Sequence, residues 1–117
     1  MIRTCEVRLT RHYGVVPGEV WAALIEPASL ARWLGPMAVA VGTSIRSVEA
    51  DKLLELDWAP PGEEPSVVRF ELRPDGDGTV LVLDHRLIDA RRGMQAMSLW
   101  ERHLERLDAL LGAAGTA

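Results

Sequence analysis

Lysine is almost missing from this chain: Lys52 is the only one, and no run of Lys and Arg occurs. With a formal net charge of −4 there is no basic stripe to neutralise phosphates, so nucleic acid is excluded as the expected partner. Cysteine is down to Cys5, which cannot form an internal disulfide and fits a reducing cytoplasm. No apolar run approaches membrane-spanning length, and no basic region followed by an apolar run opens the chain, so neither a membrane span nor a signal peptide is expected. No glycine-rich phosphate loop occurs. His12, His85 and His103 share no ligand spacing with one another or with Cys5, so no metal and no cofactor is expected. Asp75-Gly76-Asp77-Gly78 lacks the third ligand and the closing Glu of a calcium loop, and a hairpin turn accounts for it. Basic residues that are nearly all Arg, together with much Ala and Leu, suggest GC-rich codons and hence a bacterial, cytoplasmic protein.

What the chain does have is a long amphipathic stretch, Asp89 to Gly112, around which the rest is organised. Met94, Met97, Trp100, Leu104, Leu107 and Leu111 recur at helical spacing, and Ala96, Leu99 and Leu110 widen that face. Glu101, Arg102, Glu105, Arg106 and Asp108 take the other side. Asp89 suits the N-cap and Gly112 the position after the C-cap. Such a helix cannot bury its stripe alone, so the preceding residues must cover it.

Those residues supply strands. Ile2 to His12 alternates, with Cys5, Val7 and Leu9 on one face. Pro17 opens a short helix to Glu26 with Val20, Trp21, Leu24 and Ile25 as its apolar face. Pro27 ends it and starts another carrying Leu30, Trp33 and Leu34, stopped by Gly35-Pro36. Met37 to Val41 is an uncharged apolar run that reads as strand or loop. Ser44 to Ala50 and Lys52 to Trp58 read as strands about a tight turn at Ala50-Asp51, with Leu54, Leu56 and Trp58 inward. Ala59 to Pro65 is a loop. Ser66 to Arg73 and Thr79 to Leu87 form a hairpin, with Val68, Phe70 and Leu72, then Leu81, Leu83, His85 and Leu87, inward. Val67, Arg69, Glu71 and Asp57 point outward. The order predicts one α+β domain over residues 1–112, an antiparallel sheet with helices on one face, and a short tail at 113–117.

Three stretches carry a resemblance. VVPGEVWAALIEPASLARWLGP, with Pro17, Val20-Trp21 and Trp33, is similar to the helix pair of START-like (SRPBCC) proteins of the Aha-type branch, homologues of a chaperone ATPase activator. RFELRPDGDGTVLVLDH resembles that branch's hairpin, with Gly78-Thr79 at the turn and His85 at the strand end. LWERHLERLDALL resembles its closing helix, although Leu99 stands before Trp100 where the branch has a small residue. The resemblance implies a helix-grip fold: a curved antiparallel sheet wrapped around the long C-terminal helix, two short helices after the first strand, and a cavity between sheet and helix. The middle, Gly35 to Leu53, is about one hairpin shorter than the family pattern, which bears on the cavity's size. Members bind apolar small molecules, act as cyclases or hydratases, or work through protein contacts.

His85 lies among Leu81, Leu83 and Leu87 and is the one candidate for a general base, weighed against a hydrogen-bonded structural histidine. Four tryptophans against one Phe and one Tyr is an unusual balance. Tryptophan and methionine suit a pocket for a flexible apolar ligand, so Trp33, Met37, Trp58, Phe70, His85, Met94, Met97 and Trp100 are the candidate ligand-binding residues. Trp21 reads as plain core, whereas Trp58 and Trp100 could line a pocket or pack the core. The leading expectation is a non-catalytic domain that binds an apolar small molecule. The alternatives are a protein-interaction module acting on a partner such as a chaperone ATPase, and a cyclase- or hydratase-type enzyme using His85. The uncharged Met37 to Val41 edge further suggests a homodimer.

Overall fold

The computed structural model describes residues 3–35, 45–59 and 64–115. The first strand, β1 (Thr4–Tyr13), is followed by α1 (Pro17–Ile25) and α2 (Pro27–Trp33). Then come β2 (Ile45–Glu49), β3 (Leu53–Trp58), β4 (Ser66–Asp75) and β5 (Gly78–Asp89). A 3₁₀ turn, Ala90–Arg92, leads into the long helix α3 (Gly93–Gly115). The five strands form one antiparallel sheet in the order β1-β5-β4-β3-β2. This is the α+β helix-grip architecture, and α3 lies against β1 and α2.

Proline chemistry explains the helix pair. The residue before a proline is held out of the α region, so Glu26, ahead of Pro27, sits at φ −72° and ψ 127° and ends α1. The same residue serves as N-cap of α2, with Pro27 at the first helical position. Glu26 donates its N–H to Ala22 O and accepts from Leu30 N, both at 2.9 Å, so one residue closes one helix and opens the next. Trp33 Nε1 donates to Ala23 O at 2.8 Å and locks the pair side by side. Val20, Trp21 and Leu24 are buried, but Ile25, expected on the same face, is exposed because the chain turns away at Glu26.

The hairpin between β4 and β5 turns on Gly76-Asp77. Gly76 has φ +58°, the conformation a two-residue hairpin of type II′ requires at its first position. A Cβ on Gly78 would lie 2.2 Å from Tyr13 O, so only glycine lets the end of β1 close on the hairpin. Thr79 Oγ1 then donates to Val15 O at 2.7 Å. Tyr13 in turn donates to Asp108 Oδ1 at 2.7 Å and ties β1 to α3. Burial, with Asp108 beside it, raises the phenol's pKa.

Several details depart from the sequence pattern. Cys5 pairs with Ile88 and Val7 with His85, so Glu6 alone faces both Arg86 and Leu87. That is a β-bulge: Leu87 takes φ +61° and swings outward, 55 % exposed, and the inward place passes to Ile88. Val67 faces outward but is buried, with Asp57 and Arg86 as its row neighbours. Arg69 and Glu71 are half-buried in ion pairs rather than simply solvated: Arg69 with Glu55 at 3.7 Å and with Glu71 at 3.4 Å. Asp89 caps the 3₁₀ turn through Arg91 N, not the long helix, and α3 continues through Gly112. Met37 to Val41, on which the dimer expectation rested, lies outside the described residues.

Candidate functional site

Strand register lays two rows of side chains across the face that meets α3. One runs Val7, His85, Val68, Leu56, Ile45; the other runs Leu9, Leu83, Phe70, Leu54, Val48. Cover over these rows ends abruptly. From β5 to β3 all six members are buried, while Ile45 and Val48 on β2 are 53 % and 57 % exposed. Apolar side chains that face inward and yet meet solvent mark an open end of the grip.

Behind that open end the candidate residues meet one another. Trp58 and Trp100 have ring centroids 5.2 Å apart, Phe70 and Trp100 6.0 Å, Trp33 and Phe70 6.0 Å, and His85 and Trp100 5.9 Å. All five rings are buried. The structure therefore brings together Trp33, Trp58, Phe70, His85 and Trp100 as a cluster centred on Trp100, edge to face except for Trp58 and Trp100, which are tilted at 45°. Met97 is half-buried on α3, and Met37 lies outside the described residues. Met94 is 87 % exposed and does not share the stripe. A helix turns about 100° per residue, so two steps of three leave Met94 about 120° round from Trp100. Leu99 is exposed as well.

His85 is held at both nitrogens. Trp100 Nε1 donates to Nδ1 at 2.8 Å, and Nε2 lies 2.7 Å from Ser66 Oγ. An indole N–H can only donate, so Nδ1 is an acceptor and the proton of the neutral ring sits on Nε2. Nε2–H then donates to Ser66 Oγ, whose hydroxyl donates to Trp58 O at 3.2 Å. Each donor in this Trp100–His85–Ser66–Trp58 series has an acceptor. A Ser–His hydrolytic pair runs the other way, with the imidazole accepting the serine proton. Here that lone pair is absent, and the remaining one is occupied by Trp100. Burial lowers the His85 pKa to about 4, because the charged form of the ring is poorly solvated there.

His103 is the residue that sequence reading passed over. It is buried three positions after Trp100, with ring centroids 5.6 Å apart. The pattern 100, 103, 104, 107, 111 is the helix's true buried face, but a histidine between Arg102 and Leu104 reads as polar surface. His103 Nδ1 lies 3.1 Å from Trp33 O, one of the last carbonyls of α2, which no further helical turn can satisfy. A carbonyl only accepts, so Nδ1 carries the proton and Nε2 is a bare lone pair. That Nε2 is buried and has no hydrogen-bond partner among the described residues. Burial, with Arg106 and Arg102 adding to it, lowers the His103 pKa, while the Trp33 carbonyl opposes the shift. Among the described residues, no group of three or more His, Cys, Asp or Glu could hold a metal ion. No helix among them is long and apolar enough to cross a membrane.

Comparison with known proteins agrees with this architecture. The family model described as activator of Hsp90 ATPase homolog 1-like protein matches residues 36–112. The crystal structure of MLL2253 from Mesorhizobium loti superposes with a TM-score of 0.78 at 25 % identity, covering 93 % of this chain and 98 % of that one. CalU16 from Micromonospora echinospora gives 0.78 at 22 % identity, covering 91 % and 75 %. The solution structure of an Aha1 dimer from Colwellia psychrerythraea gives 0.75 at 17 % identity, covering 97 % and 99 %. No protein of curated function matches the sequence.

Proposed function

The chain belongs to the activator of Hsp90 ATPase homolog 1-like family, within the START-like superfamily, and from that premise we propose that it binds an apolar small molecule between sheet and long helix, without catalysing its conversion. One observation carries this reading: Ile45 and Val48 face inward from β2 and are left half-exposed beside the buried Leu56 and Leu54. A ligand lying over them would remove apolar surface from water and rest against the edge of the ring cluster. On this reading Phe70 and Trp58 form the back of the site, Trp33, Trp100 and Met97 come from the helices, and Met94 contributes little. His85 keeps the rings in place and takes no part in proton transfer, since neither nitrogen is free to accept.

The test is a panel of fatty acids and polycyclic aromatics, read by tryptophan emission and melting temperature. At least one class should shift both, and Val48→Asp should weaken that shift while leaving the protein folded. No response across the panel would overturn the proposal.

A second reading, a module that works through protein contacts, is favoured by the close packing of the five rings, which fill the space a larger ligand would need. In that form β2, an edge strand with all five residues exposed, would pair with a partner strand or with a second copy. Sedimentation equilibrium at micromolar concentration would return a dimer for the second-copy form; a monomer would reject that form.

A further inference from the structure

We propose that His103 is the polar anchor of the ligand site, and that it selects apolar molecules carrying a hydroxyl or N–H donor. This rests on the ligand-binding reading above and names the class of ligand. The geometry supplies the argument. Nδ1–H donates to the Trp33 carbonyl at 3.1 Å, which fixes the tautomer and leaves Nε2 as an acceptor. Nε2 is buried and, among the described residues, unpartnered, a state in which native proteins rarely leave a polar atom. His103 stands against Trp100, and its hydrogen bond reaches the backbone of Trp33. Those are the two tryptophans that meet Phe70, which lies in the row ending at the bare Val48. The unpaired acceptor thus belongs to the same cluster whose far edge is uncovered.

The chemistry of that acceptor is selective. A lone pair in a low-dielectric site repels the lone pairs of a carboxylate or ketone and leaves a pure hydrocarbon without reward. A hydroxyl or N–H on an otherwise apolar, flat molecule satisfies it, and the surrounding rings favour a planar body. The site so described takes phenols or alcohols of aromatic or alicyclic type and disfavours fatty acid anions.

Naphthalene and 1-naphthol test this, because they differ by one donor. Binding is followed by tryptophan quenching and by calorimetry on the wild-type protein and on His103→Phe, which keeps an aromatic ring and removes the acceptor. Wild type should bind 1-naphthol about tenfold or more tighter than naphthalene, the worth of one buried hydrogen bond. His103→Phe should bind the two alike. In the wild type, the ¹⁵N resonance of Nε2 should move upfield with 1-naphthol and stay in place with naphthalene; this readout does not depend on a variant folding. Equal binding of both probes by the wild type, or an unmoved Nε2 resonance, overturns the anchor and leaves the apolar-binding reading standing. No binding of either probe, or of the wider panel, overturns both.

Discussion

An indole N–H has nothing to accept with, and at Trp100 that fixes the state of His85. Protonating Nδ1 would set two donors against each other at 2.8 Å, so the folded protein resists the imidazolium. With the folded pKa near 4 and an unfolded value near 6.5, the sign follows: above the unfolded pKa both states are neutral and stability is at its full value. As pH falls below that value the unfolded chain takes up the proton and the folded one does not, so stability is lost down to about pH 4. The His85 share approaches about 3 kcal/mol, and His103, shifted in the same direction, adds to it. Urea midpoints should therefore drop steeply between neutral pH and pH 4.5, and His85→Gln should flatten the slope. A midpoint independent of pH would contradict the burial of both rings. Leu87 makes a second residue-scale prediction. A left-handed conformation costs a non-glycine residue about 1 kcal/mol, and this side chain is largely in water. Leu87→Gly should leave the melting temperature unchanged or raise it, whereas Leu87→Val should lower it.

At the scale of the element, α3 is held by the face that begins at Trp100. Trp100→Ala removes a ring that touches Phe70, Trp58, His85 and His103 and strips His85 of its donor, so a loss of about 3–5 kcal/mol in chemical denaturation is expected. Met94→Ala, on the same helix but turned away, should stay within about 0.5 kcal/mol. A small loss at Trp100 would mean that it borders a void. Elements of this kind were legible because their signals are local: Pro17 and Pro27 mark two helix starts, alternation marks β3 and β4, and period 3.6 marks α3. Their ends were less so. Asp89 has the chemistry of a helix cap, yet it caps a 3₁₀ turn, because Gly93 rather than Ala90 is where α3 begins. Leu87 follows the alternation of β5 faithfully and still points outward, since a bulge depends on the partner strand and leaves no trace in its own sequence. Likewise, Trp100 and Trp58 read equally as lining or as core from sequence, and it takes the structure to show that their rings lie 5.2 Å apart, since that separation joins a strand end to a helix forty-two residues on.

Across the whole molecule, the rows of the sheet grade from packed to bare, and mutational cost should grade with them. Leu54→Ala should lose about 2–5 kcal/mol, while its row neighbour Val48 truncated to Ala should lose well under about 1 kcal/mol. Similar losses at both positions in urea unfolding would mean that β2 is covered after all. Sequence could not give this gradient: alternation says which face a residue takes, never how far the opposing helix reaches. The same limit hid His103, whose importance comes from a carbonyl seventy residues away in the chain.

The Trp58–Trp100 pair has an optical consequence. Two indoles held 5.2 Å apart at 45° couple their electronic transitions and split them into a circular-dichroism couplet of opposite-signed lobes. Because one chromophore rides on β3 and the other on α3, the couplet exists only while helix and sheet are clasped. It should vanish in Trp58→Phe at no cost to helical content. In the intact protein its amplitude reports, without any label, whether the grip is closed.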